Sequence, residues 1–147
     1  MTFRLNLDVA ASPASVFDFV ADFTTVPQWY SAVERVEPIH GTGSLGTLYR
    51  VYRNLPGGPV QNDVSVTSFS EGHEVTFTSV SGPTPFVYRY IVEPAREVTR
   101  LTLEGTISLA GLRGPAARLG PVAEHLFRRG MRDNMRSLGA ILERSPA

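Results

Sequence analysis

The chain has 147 residues, enough for one domain with a sizeable core and too few for two. Apolar residues make up 42% and charged residues 19%, and the formal net charge is zero, which argues against disorder and removes any bulk electrostatic case for nucleic acid. There is no cysteine and all 14 basic residues are arginine, which excludes disulfides, thiolate zinc sites, cysteine nucleophiles, Schiff-base lysines and a P-loop lysine.

Phe3, Leu5, Leu7 and Val9 alternate with Arg4, Asn6 and Asp8, the period-two pattern of a half-buried strand. Ser12-Pro13 reads as an N-cap followed by a proline in the first helical turn. Val16, Phe19, Val20 and Phe23 then recur at helical spacing, so a helix is predicted to about Phe23. Pro27-Gln-Trp-Tyr-Ser-Ala predicts a second short helix opened by its proline.

From about Val33 the signal turns to strands. Val36 to His40 leads into Gly41-Thr-Gly-Ser-Leu-Gly46, and Thr47 to Asn54 reads as the next strand. A Pro56-Gly-Gly-Pro59 loop separates it from Val60 to Phe69, where Val64 and Val66 suggest one inward face and a bulge would instead turn Asp63 and Ser65 in. Glu74 to Val80, Phe86 to Val92 and Thr99 to Leu109 follow, divided by Gly82-Pro-Thr-Pro85 and by a loop over Glu93 to Glu97. Seven strands joined by short turns imply antiparallel neighbours. Ala110 to Pro121 is rich in Gly and Pro and predicts an irregular or short-helical connection.

Pro121 opens a long helix to about Glu143, with an apolar stripe through Ala123, Phe127, Met131, Asn134 or Met135, Leu138, and Ile141 or Leu142. At ~1.5 Å per residue it exceeds roughly 30 Å, the only element long enough to cover a seven-stranded sheet. The class is therefore α+β, a curved antiparallel sheet around a long C-terminal helix. The space that the helix leaves uncovered predicts a cavity. One domain over residues 1–147 is expected.

The order of elements resembles the START-like superfamily, also called SRPBCC, and its helix-grip fold. The polyketide cyclase/dehydrase and lipid-transport branch is the most similar. The resemblance rests on Ser12-Pro-Ala-Ser-Val-Phe17, Val26-Pro-Gln-Trp-Tyr30, Gly43-Ser-Leu-Gly-Thr47 and the arginine-rich closing helix ending Leu138-Gly-Ala-Ile-Leu-Glu143. It covers nearly the whole chain. It implies two short helices between strands one and two, and an inward face for Thr47, Tyr49, Val51 and Arg53.

Gly41-Thr-Gly-Ser-Leu-Gly46 matches G-x-G-x-x-G, but a dinucleotide fingerprint needs a helix next and an extended segment follows. The reading is a glycine-rich strand–strand loop. His40, His73 and His125 show no metal-ligand spacing, and Asp18 and Asp22 read as solvated, so no metal and no cofactor is expected. No serine sits in a nucleophile elbow.

The candidate ligand-binding set is Trp29, Tyr49, Val51, Arg53, Phe77, Ser79, Phe86, Tyr88, Tyr90, Leu103, Met131, Asn134 and Leu138. Trp29 is placed as a gate at the mouth, and Gly105 as a missing side chain that leaves room for ligand. Tyrosines and an arginine on inward faces suit an apolar molecule carrying a few oxygens.

Three functions follow as expectations. The first is binding or carriage of a lipid or polyketide-like molecule. The second is a cyclase or aromatase in which Tyr49, Arg53 and Tyr88 polarise carbonyls, although no clear base faces inward. The third is a partner-binding module using the arginine-rich helix, because from Gly111 onward the chain holds seven arginines and only three acids. Nucleic acid and stable membrane insertion are not expected partners, and either a monomer or a homodimer is compatible. The absence of an apolar leader or span points to the cytoplasm, and arginine in place of every lysine to a GC-rich bacterial source.

Overall fold

The computed structural model describes residues 1–55, 57–108 and 121–144. Seven strands form one antiparallel sheet: β1 (Thr2–Val9), β2 (Val33–His40), β3 (Leu48–Leu55), β4 (Gly58–Ser70), β5 (Glu74–Ser81), β6 (Phe86–Ala95) and β7 (Val98–Ile107). Their order across the sheet is β1-β7-β6-β5-β4-β3-β2, so the first two strands of the sequence lie at opposite edges. Helix α1 (Pro13–Ala21) and a 3-10 helix (Phe23–Gln28) make that crossing, and α2 (Pro121–Arg144) lies against the same concave face. This is the helix-grip architecture expected from the element order.

Local chemistry sets the boundaries. The Ser12 side chain accepts from the Ser15 amide at 3.2 Å, and proline occupies the first position of α1, where an amide hydrogen is not needed. The helix ends at Ala21, two residues earlier than its apolar spacing predicts. Asp22 leaves helical geometry and its carboxylate accepts from the Thr24 amide at 3.1 Å, opening the 3-10 turn instead. The second short helix therefore starts at Phe23, and Pro27 lies inside it rather than opening it. β6 runs three residues past its predicted end, to Ala95, and β7 begins one residue early, at Val98. They meet at a tight turn in which Glu97 takes a left-handed φ of 65°. The connection predicted over Ala110 to Pro121 lies almost wholly outside the described residues.

Strand alternation separates two faces. The convex face carries ion pairs: Arg50 with Asp63 at 2.9 Å, Arg100 with Asp8 at 3.1 Å, and Arg89 with both Glu74 and Glu104. The concave face is apolar, with Val51, Val64, Phe77, Tyr90, Leu101 and Leu103 almost fully buried. Met131, Asn134, Met135, Leu138 and Leu142 form the buried stripe of α2, while Arg128, Arg129, Arg132 and Arg136 face outward. Each large apolar side chain buried in this way contributes about 1.5–3 kcal/mol.

Two glycines allow close approach. A Cβ on Gly105 would stand 2.2 Å from the Phe3 ring, and one on Gly139 would stand 2.9 Å from Leu7. The gap expected at Gly105 is thus not free for a ligand, because Phe3, its cross-strand partner in β1, fills it. Among the described residues no helix is long and apolar enough to cross a membrane.

Gly105→Ala should lower stability by about 1–3 kcal/mol through overpacking, and Phe3→Leu in the same chain should recover part of it, both read from denaturant melts. The convex face makes a pH prediction. The hydrogen bond from Arg89 holds the Glu74 carboxyl below its usual range, against partial burial. That contribution is present above the ordinary carboxylate pKa and is lost as pH falls through the lowered one. Arg89→Gln should therefore cost about 0.3–1 kcal/mol at pH 7, and the gap to the parent protein should close as the melt is repeated toward pH 3.

Candidate functional site

The site is built where β3, β4 and β6 bring their inward residues to one end of the concave face. Tyr49, Val51 and Arg53 alternate inward along β3, as do Asn62, Val64 and Val66 along β4. Register places Val51 opposite Asn62, so Asn62 is the diagonal neighbour of Arg53. The pairing of β4 with β5 shifts at Asp63/Val64 and at Val66/Ser68, yet Asp63 stays on the outer face with Arg50. The valine face of β4 is the inward one.

Arg53 is only 4% exposed and meets no carboxylate among the described residues. Its Nε and Nη2 donate to Asn62 Oδ1 at 3.0 and 2.6 Å. Nη2 also donates to the Pro83 carbonyl at 3.0 Å and to Thr84 Oγ1. Asn62 Nδ2 in turn donates to the carbonyls of Ser81 and Pro83 at 3.1 and 2.8 Å. The two side chains thereby fasten the β5–β6 turn, where Thr84 has a left-handed φ of 49°. Nη1 has no hydrogen-bond partner among the described residues, and it is not sealed off, since no fully buried polar atom there lacks a partner.

Two phenols adjoin the guanidinium. The hydroxyls of Tyr30 and Tyr88 lie 3.3 Å apart, and the Tyr88 ring stacks on Phe86 at 4.4 Å between centroids. Burial raises the pKa of both tyrosines, that of Tyr88 strongly, so each stays a neutral hydrogen-bond donor near neutral pH. Burial lowers the Arg53 pKa, opposed by the two phenols, yet a guanidinium remains charged under physiological conditions. The result is a permanent cation, with Nη1 unbonded among the described residues, on a void that two phenols also border, in apolar surroundings.

These groups border a narrow void of about 10 Å³, closed on its other sides by Phe23, Val26, Val33, Val51 and Tyr90. That is space for about one water. The larger hollow anticipated from strand alternation is filled among the described residues. Phe23 packs on Phe77 at 4.5 Å, and Trp29 and Tyr90 meet edge to face.

Of the residues predicted to contact ligand, Val51, Arg53, Phe86, Tyr88 and Tyr90 come together at this void. Phe77, Leu103, Met131 and Leu138 are buried core neighbours that do not line it. Ser79 accepts from the Phe86 amide at 2.8 Å. Asn134 accepts from the Ser31 amide at 3.2 Å, latching α2 to the segment after the 3-10 helix. Trp29 is 4% exposed and packed inside, not placed at a mouth. Tyr49 stacks on Phe23 at 5.5 Å and borders a separate surface groove of about 580 Å³ between α1 and the glycine-rich loop. Phe23, Val26, Tyr30 and Val33 were missed. Tyr30 carried a signal, a polar aromatic on the element that must cross the concave face.

The glycine-rich loop turns between β2 and β3 with Gly41, Gly43 and Gly46 all at positive φ, and no helix follows it. Among the described residues no cluster of three histidine or acidic side chains is arranged to hold a metal.

The sheet, the crossing helices and the gripped α2 define a START-like helix-grip protein. The sequence model for "Polyketide cyclase / dehydrase and lipid transport" matches residues 2–143, and the chain belongs to that family. No curated protein matches it in sequence. Among solved structures it is similar to a START superfamily protein from Mycobacterium smegmatis, with 18% identity, a TM-score of 0.79 and 97% of each chain covered. It is also similar to the Zhui aromatase/cyclase from Streptomyces sp. R1128, with 13% identity, a TM-score of 0.76, and 98% of this chain and 94% of that one covered. A protein from Thermus thermophilus shares 21% identity at a TM-score of 0.73, covering 98% of this chain and 95% of the other. At these identities the likeness establishes the fold. Fold and family are consistent with a hydrophobic ligand held between sheet and helix.

Asn62→Ala removes the main acceptor of a buried cation and should cost roughly 2–3 kcal/mol. Adding Arg53→Met removes the stranded charge and should restore part of that loss in a double-mutant cycle read by thermal denaturation.

Proposed function

We propose that the chain is a binding or carrier protein for a hydrophobic small molecule, lipid-like or polyketide-like, taken up between the concave sheet face and α2 within a single ligand-binding domain. One observation carries this reading: a guanidinium and two phenols border one narrow apolar space. A core built only for packing gains nothing from them, because each polar group costs desolvation free energy. A site for an apolar molecule with a few oxygens needs that mixture.

The void admits about one water, so uptake requires a wall to move. The aromatic pair of Phe23 and Tyr49 is the partition, since Phe23 borders the void and Tyr49 borders the outer groove. Phe23 rides on the six-residue 3-10 helix, which is held at its start by the Asp22 cap. Displacement of that short segment joins groove and void.

A cyclising enzyme is the second reading, supported by the same cluster: Arg53, Tyr30 and Tyr88 are placed to polarise a carbonyl. Carriage is better supported, because among the described residues the lining of the void includes no carboxylate or imidazole to act as base. Asp63, the one carboxylate that sequence alone left open, is committed to Arg50 on the outer face.

Native mass spectrometry of protein purified from a bacterial host should reveal a retained hydrophobic compound that is recovered unchanged after incubation. Recovery of a cyclised product would favour the enzyme. Failure to retain or take up any compound from a panel of fatty acids, fatty alcohols and naphthalene probes would remove the binding reading. Phe23→Leu should speed probe uptake in stopped-flow fluorescence, with a stability cost of about 1 kcal/mol.

A further inference from the structure

We infer that the bound molecule carries an anionic oxygen headgroup, a carboxylate, and that Arg53 Nη1 with the Tyr30 and Tyr88 hydroxyls receives it. This deepens the binding reading above and rests on it. The argument begins with charge. Arg53 is the buried arginine of the described residues, and its hydrogen-bond acceptors are an amide oxygen, a carbonyl and a hydroxyl. These solvate the cation but leave its charge uncancelled. On the convex face the same chain places acids beside Arg50, Arg89 and Arg100, which are far more exposed and need neutralising less.

A structural latch for the β5–β6 turn does not require that charge. Nε and Nη2 make every latch contact, and a neutral donor would serve them. What the latch leaves over is a cation whose Nη1 has no partner among the described residues, on a side chain that borders a void together with Tyr30 and Tyr88. Both phenols remain protonated because burial disfavours phenolate, so the bonded pair keeps one O–H to donate and repels no anion. Phe86 lies 5.6 Å from the guanidinium carbon, a weak substitute for a counterion. A buried cation that lacks a counterion is costly, and an incoming carboxylate supplies one with a charge-assisted hydrogen bond. The apolar remainder of the molecule then lies toward Phe23, Val26 and Val33, where the wall must yield.

The test uses the full chain and matched probes: dodecanoic acid, dodecanol and dodecylamine, with 2-naphthoic acid and 2-naphthol as an aromatic pair, titrated by calorimetry at pH 7.5. The acids should bind at least about tenfold tighter than their alcohols, and the amine most weakly. The aliphatic and aromatic pairs distinguish a fatty acid from an aromatic acid as the source of the carboxylate. Arg53→Met should lower acid affinity at least about tenfold more than alcohol affinity, abolishing the preference for acid. Tyr30→Phe keeps the ring and the turn latch, and should weaken the acid several-fold more than the alcohol. Equal affinity for acid and alcohol in the parent chain overturns the inference and leaves the binding reading intact. So does acid binding that survives both Arg53→Met and Tyr30→Phe. No binding of any probe would instead remove the binding reading itself. Should Arg53→Met fail to fold, Tyr30→Phe alone still decides the point.

Discussion

A sheet whose first and second strands lie at opposite edges forces the chain across its own concave face, and that crossing governs the rest of this molecule. α1 and the 3-10 helix make the passage, so one end of the inner surface is roofed by a short segment held by capping bonds and a few aromatic contacts. α2 grips what remains. Its buried stripe runs along the strands, and Gly139 lets it sit close against Leu7. Inner residues of the strands therefore face two different lids, one long and apolar and one short and aromatic.

The difference between the lids explains where polarity collects. Beneath α2 the interior is filled by Leu101, Leu103, Leu138 and Met131 and is satisfied by packing. Beneath the 3-10 segment it holds Arg53, Tyr30 and Tyr88, whose polar atoms need hydrogen-bond partners or a ligand. Asn62 provides part of that need by binding Arg53 and the β5–β6 turn together. Rigidity on the turn side and a thin wall on the Phe23 side suit the proposed uptake from one direction. The small resting void fits this arrangement, because dry contact between Phe23, Phe77 and Tyr90 stabilises the closed form until something larger replaces it.

Most of the fold was legible in the order of residues. Alternation in β1, β3, β5 and β6 fixed strand faces, and Ser12-Pro13 fixed the start of α1 to the residue. The failures are instructive. Helical spacing through Phe23 hid the Asp22 cap, because a capping carboxylate overrides apolar periodicity at a helix end. Gly105 read as spare room because its occupant, Phe3, sits about a hundred residues away in sequence and is brought opposite only by the β1–β7 pairing. Trp29 read as a gate because a tryptophan near a helix terminus carries no mark of the side on which it packs.

Residue order alone was enough for the class of fold, the seven strands and the gripped helix, since these follow from periodicities of two and 3.6 acting over a few residues; that the shared face of Val51 and Arg53 points inward was implied by the family resemblance. It took the folded arrangement to establish that Arg53 is latched by Asn62 and Thr84 with Nη1 unbonded among the described residues, that Tyr30 joins Tyr88, and that only a narrow void separates them. Those facts depend on strand register and on how side chains far apart in sequence divide a fixed volume. A local pattern can aim a residue inward, but what it meets there is set by close packing among elements that the pattern does not contain.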